Sequence, residues 1–144
     1  MILADHLLPY SHDTLLLVCD RASARFLHAH DREVKEVDTI ENDRLDPVNE
    51  HPPGGEHMAV TRDEHYHEHE AEVFYKKLAE RLFELKQQMS YEDLILVVPG
   101  DDKNLLADAL HEDVRQTLQS TLPKLLTNLG DAEVMEHVDQ HRRG

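Results

Sequence analysis

Residues 14–26, TLLLVCDRASARF, decide how the chain folds. Residues 14–19 are an unbroken apolar run of strand length. A continuous run, rather than an alternating one, marks a strand buried on both faces and therefore central in its sheet. Residues 20–23 give a short polar connection. Residues 24–29 alternate imperfectly, with Phe26 and His28 on one face and Arg25 and Leu27 on the other. Asp31-Arg32 makes the next turn, and Val34, Val37 and Ile40 mark a third strand. Two connections this short join the strands as an antiparallel meander. Residues 1–13, broken at Pro9, read as an irregular lead-in.

The second half alternates helix and strand. Thr61-Arg62-Asp63-Glu64 fits a capping box, in which the Thr61 hydroxyl serves the Glu64 N–H and the Glu64 carboxylate returns the bond. The helix it opens runs to about Met89, some 40 Å at about 1.5 Å per residue, on a stripe of Phe74, Leu78, Leu82, Leu85 and Met89. Residues 94–98 form the second strong strand, stopped by Pro99-Gly100. A strand reached through a helix is expected parallel to the first by a right-handed crossover. Asp101 or Asp102 can cap a short helix through about Leu110. In residues 111–130, Val114, Leu118, Leu122, Leu125 and Leu126 have helical spacing, yet Pro123 disrupts a helix interior and residues 114–118 fit a last strand equally well. Asp131 then caps a terminal helix carrying Val134, Met135 and Val138.

Composition narrows the function. A chain of 144 residues suits one domain, residues 1–144, with a single sizeable core. With 5% aromatic residues and no Trp, that core is built mainly from Leu, Val and Ala. The formal charge of −15 repels phosphate backbones and anionic membranes, so neither a membrane partner nor general nucleic-acid binding is expected. No run approaches the roughly 18 apolar residues of a membrane span, and a cytoplasmic location is the default expectation. The single cysteine, Cys19, excludes an intramolecular disulfide, and its place in LLLVC marks a buried, inert thiol.

One stretch is not explained by core building. Residues 46–70, DPVNEHPPGGEHMAVTRDEHYHEHE, hold a Pro-Pro-Gly-Gly turn, five of the twelve histidines and many carboxylates. Residues 41–60 read as a long loop, and loops of that length are functional or disordered.

With the residues in order, the chain resembles the central domain of archaeal and eukaryotic class I peptide-chain release factors. It also resembles their small bacterial relatives, some named host-attachment proteins. The resemblance rests on LLLVCDRASARF, on Pro53-Gly54-Gly55-Glu56-His57 before a long helix, on FYKKLAERLF within that helix, and on DLILVVPGDDKNLL with Pro99, Gly100 and Lys103. It covers residues 13–140. It implies an α/β fold, ribonuclease H-like, with a mixed five-stranded sheet in the order β-β-β-α-β-α-β-α. It favours the strand at residues 114–118. It further implies a stand-alone release-factor-like domain associated with translation, in ribosome rescue or peptidyl-tRNA hydrolysis, with ribosome or tRNA as partner. Gly54, Gly55 and Glu56 then form the working tip, while Asp20 and Lys103 support the scaffold. The family's tripeptide is Gly-Gly-Gln; Glu56 stands here where Gln stands there. The segment is also acidic, with Asp63, Glu64, Glu68, Glu70 and Glu72, where the release factors are basic.

Two other readings stay open. His65 and His69 share a helix face, and with Glu68 or Glu72 they offer ligands for zinc or nickel. His67 points about 200° away from His65. The chain would then be a non-enzymatic binding protein, metal- or pH-responsive through this segment, with His51 and His57 joining from the loop. Asp20, Asp93 and Asp101 raise a metal-dependent nuclease, but Asp93 precedes its strand and sits at the opposite edge from Asp101.

Overall fold

The computed structural model describes residues 1–42 and 59–144, with the side chains of the long helix described from His69 onward. The central strand is β1 (Tyr10–Cys19), in which residues 15–19 are fully buried. It pairs antiparallel with β2 (Ser23–Asp31), which pairs antiparallel with β3 (Glu33–Glu41). On its other side β1 pairs in parallel with β4 (Asp93–Val97), itself parallel to β5 (Leu118–Leu122). The sheet order is β3-β2-β1-β4-β5, the mixed five-stranded sheet expected. Asp31, with φ of 53°, takes the left-handed conformation that the tight β2–β3 turn requires.

Burial on both faces creates two cores. Leu15, Leu17 and Cys19 of β1 join Phe26, Leu94 and Leu96 beneath α1 (Ala59–Met89), whose stripe is Ala71, Phe74, Tyr75, Leu78, Leu82 and Leu85. The short helices α2 (Lys103–Ala109) and α3 (Glu112–Arg115) complete this layer with Leu106 and Val114. Leu16 and Val18 point the other way, where Ile95 and Val97 meet Val134, Met135 and Val138 of α4 (Asp131–Arg143). Among the described residues, no helix is long and apolar enough to cross a membrane.

Four expectations need correction. The last strand is not residues 114–118 but Leu118–Leu122; the preceding residues form α3, closed by the Thr117 hydroxyl donating to the Val114 carbonyl at 2.6 Å. Val114 is fully buried in the α1 core, so its helical spacing reflected a real turn of helix. The lead-in is only partly irregular: β1 begins at Tyr10, and Leu3, Leu7 and Tyr10 are buried under α4. The long helix starts at Ala59, which places Thr61 inside it rather than at its cap. Finally, Gly130 holds the N-cap position of α4, while Asp131 lies in the first turn and accepts from Arg25 Nη1 at 2.6 Å.

The third strand carries a feature its apolar residues did not announce. Phe26 pairs with Asp38 but Leu27 with Glu36, so Val37 is an extra, bulged residue. The bulge switches faces: Val34 enters the α4 core, while Val37 and Ile40 pack against the α1 core. It also turns Asp38 toward α1, where its Oδ2 accepts from Arg81 Nε at 2.7 Å.

Candidate functional site

Because β1 and β4 are parallel, the segments after both strands emerge at one edge of the sheet. Between them lies an open cleft of about 500 Å³ lined by Asp20, Arg21 and Ala22 after β1, Pro99, Asp101 and Asp102 after β4, and Leu125.

Two carboxylates build its walls. Asp20 Oδ1 accepts the backbone N–H groups of Ala22 at 2.7 Å and Ser23 at 2.9 Å, an Asx-type turn that reverses the chain into β2. Its Oδ2 accepts the Thr127 hydroxyl at 2.5 Å, tying in the loop before α4. Asp102, only 3% exposed, occupies the N-cap position of α2, yet its side chain makes no cap bond. Its carboxylate instead accepts both Arg21 Nε at 2.9 Å and Nη2 at 2.8 Å, together with the Tyr75 hydroxyl at 2.7 Å. A bidentate arginine and a phenol satisfy a buried carboxylate that would otherwise be costly to desolvate.

The protonation states follow. Burial pushes the Asp102 carboxyl up, but the hydrogen bonds from Arg21 and Tyr75 and the Arg21 charge outweigh it, leaving it below its ordinary value. Burial first, and then the bond to Asp102, drive the Tyr75 hydroxyl far upward, so it stays a donor. Burial, then the negative charges of Asp20 and Asp102, raise the Cys19 thiol well above its usual range, which makes it inert, as its sequence setting implied.

The same edge holds the end of β3 and the middle of α1. Asn42, the last described residue before it, donates from its backbone to the Ala22 carbonyl at 2.8 Å and from its side-chain amide to the Arg21 carbonyl at 2.9 Å. Beyond the loop, Tyr75 pins α1 to Asp102.

Gly54, Gly55 and Glu56 lie outside the described residues, as do His51 and His57 and the side chains of His65 and His67. His69 and Glu72 are exposed on α1. Among the described residues, no three His, Cys, Asp or Glu side chains are grouped to hold a metal ion. Asp20 and Asp101 share the cleft, whereas Asp93 opens β4 at the opposite edge, its Oδ2 3.2 Å from His12 Nδ1. Lys103 is exposed at the start of α2. Sequence reading missed Arg21, Asn42 and Tyr75. The available signal was Tyr75 itself, because a phenol on an apolar stripe needs a buried acceptor.

Electrostatics across the molecule follow one pattern: every described arginine holds an acceptor of its own chain. Arg21 and Arg81 hold Asp102 and Asp38. Arg25 reaches the Leu129 carbonyl, and Arg115 the Ala107 carbonyl. Arg32 clasps the carbonyls of Ala4, Asp5 and Leu7. Arg142 reaches the carbonyls of Leu8 and Pro9, and Arg143 that of His6 together with Asp139.

Residues 13–138 match the family described as bacterial archaeo-eukaryotic release factor family 12. No curated protein matches the sequence. Among solved structures, the chain is similar to S. cerevisiae Dom34, described as a translation termination-like factor involved in RNA quality control pathways and interacting with Hbs1. The identity is 14% and the TM-score 0.46, over 94% of this chain and 38% of that one.

Proposed function

The chain belongs to bacterial archaeo-eukaryotic release factor family 12, and from that membership we propose that it acts in translation, in ribosome rescue or peptidyl-tRNA hydrolysis. The observation that carries this reading is the match over residues 13–138, which spans the sheet, the long helix and the segment between them. In this reading Gly54, Gly55 and Glu56 meet the ribosome or its tRNA. The hydrogen bonds of Asn42 support the role by fixing the last described residue before the segment to the β1–β2 connection.

Glu56 gives this tip a chemistry of its own. Its carboxylate takes a proton from water as the water oxygen bonds to the ester carbonyl carbon. Collapse then breaks the bond to the tRNA ribose oxygen, which leaves with that proton.

The test is sucrose-gradient co-sedimentation with ribosomes, wild type beside Gly54→Ala/Gly55→Ala. The wild type is expected to travel with ribosomes and the variant to stay behind. Peptidyl-tRNA hydrolysis by wild type and Glu56→Ala then separates binding from catalysis: the variant is expected to travel with ribosomes but to lose hydrolysis. If neither protein travels with ribosomes under any growth condition, the fold has been put to another use.

A further inference from the structure

The cleft at the carboxyl edge has a lining suited to a ligand of its own. Three of its lining residues are apolar: Ala22, Pro99 and Leu125. Leu125 keeps 58% of its surface exposed and lines this open cleft. An exposed leucine is unremarkable singly, but one that walls a cleft offers buried area to an occupant.

The polar groups decide the sign of that occupant. Asp20 and Asp102 already have both oxygens hydrogen-bonded, and the Arg21 charge is neutralised by Asp102. Asp101 is exposed and makes no described ion pair or side-chain hydrogen bond. Among the described residues the lining therefore carries three carboxylates against one arginine, with Asp101 the carboxylate open to pairing. Neither Lys103 nor Lys124 lines the cleft. A phosphate would meet repulsion from a chain of formal charge −15, whereas a cation with an apolar neighbour finds both complements. About 500 Å³ accommodates a few side chains rather than a folded domain.

We propose that this cleft docks a short basic, apolar peptide segment of a protein partner, its Lys or Arg pairing with Asp101 and its aliphatic side chain covering Leu125 and Pro99. The proposal does not depend on the role of residues 54–56, because it concerns groups on the rigid sheet edge.

Fluorescence anisotropy on the full chain tests it with a labelled decapeptide of alternating Lys and Leu. An alternating Glu-Leu decapeptide and a single-stranded RNA oligonucleotide serve as comparators. The Lys-Leu peptide is expected to bind saturably and the other two not at all. Asp101→Asn/Leu125→Ser should weaken binding at least tenfold, about 1.4 kcal/mol. A second variant, Glu112→Gln/Ile2→Ser, makes the same chemical changes near the other edge, where Ile2 bridges Glu33 and Glu112 precedes β5. It should bind as wild type. Equal weakening in both variants would mean bulk charge attraction and overturn the proposal, as would absence of Lys-Leu binding. RNA binding lost in the cleft variant would assign the cleft to nucleic acid instead.

Discussion

Replacing Asp102 with Asn removes the acceptor on which Arg21 and Tyr75 converge while keeping its shape. Asn retains one acceptor oxygen and turns the other into a donor, so at least one of the two Arg21 N–H groups loses its partner. Breaking a fully buried ion pair costs about 3–5 kcal/mol. Here the Arg21 side chain is 40% exposed and regains water, so the loss should be nearer about 2 kcal/mol. With about 2.1 cal/mol/K of unfolding entropy per residue, 144 residues give roughly 0.3 kcal/mol/K, and Tm should fall by about 7 °C. Tyr75→Phe alone should cost about 1.5 kcal/mol, and the double variant less than the sum, because both bonds end on one carboxylate. The Asp102 carboxyl is lowered in the folded protein, so its contribution is complete above the unfolded value near pH 4 and is lost as pH falls through the folded value. Wild type and Asp102→Asn should therefore converge in acid. Urea and thermal unfolding followed by circular dichroism measure all of this. A loss below about 0.5 kcal/mol at neutral pH would refute the view that this carboxylate ties the edge together.

Asp139 offers a parallel on the other face: it accepts the Leu8 N–H at 2.8 Å and Arg143 Nε at 2.6 Å. Asp139→Asn should cost about 1–2 kcal/mol and speed hydrogen exchange in the lead-in residues. Cys19 should resist a thiol reagent in the native protein and react fully in denaturant; rapid native labelling would contradict its burial and raised pKa. Leu78→Ala, at a fully buried position of α1, should destabilise by about 2–5 kcal/mol in the same urea assay. Calorimetric titration with zinc and nickel checks His65, His69 and Glu72: a bound ion should be lost in His69→Ala/Glu72→Gln, and no heat below millimolar metal would remove that set.

Local pattern revealed the elements whose own residues carry the signal. The run at residues 14–19 announced the central strand because burial on both faces leaves residues 15–19 without a polar position. The α1 stripe was equally plain, since one helix face meets one sheet face. The fifth strand was shifted because Leu118–Leu122 is an edge strand with only Leu122 buried, so its sequence, LQSTL, carries little hydrophobic pattern. The Val37 bulge was invisible because a register change is a property of two strands together. The centre at Asp102 illustrates the same limit: its partners stand 81 and 27 residues away, and from the sequence its carboxylate looked like a helix cap.

The arginine pattern has a consequence for the protein's response to salt. Five of the seven described arginines hold neutral carbonyls, which ionic strength screens little, and the carboxylate pairs of Arg21, Arg25, Arg81 and Arg143 are partly buried and so screened less than exposed ones. The rest of the charge is strongly one-signed, at −15, and its mutual repulsion favours an expanded chain. Added salt therefore weakens the force that opposes folding while leaving the ties intact. Stability should rise between dilute buffer and about 0.5 M salt, the reverse of a domain held together by surface ion pairs.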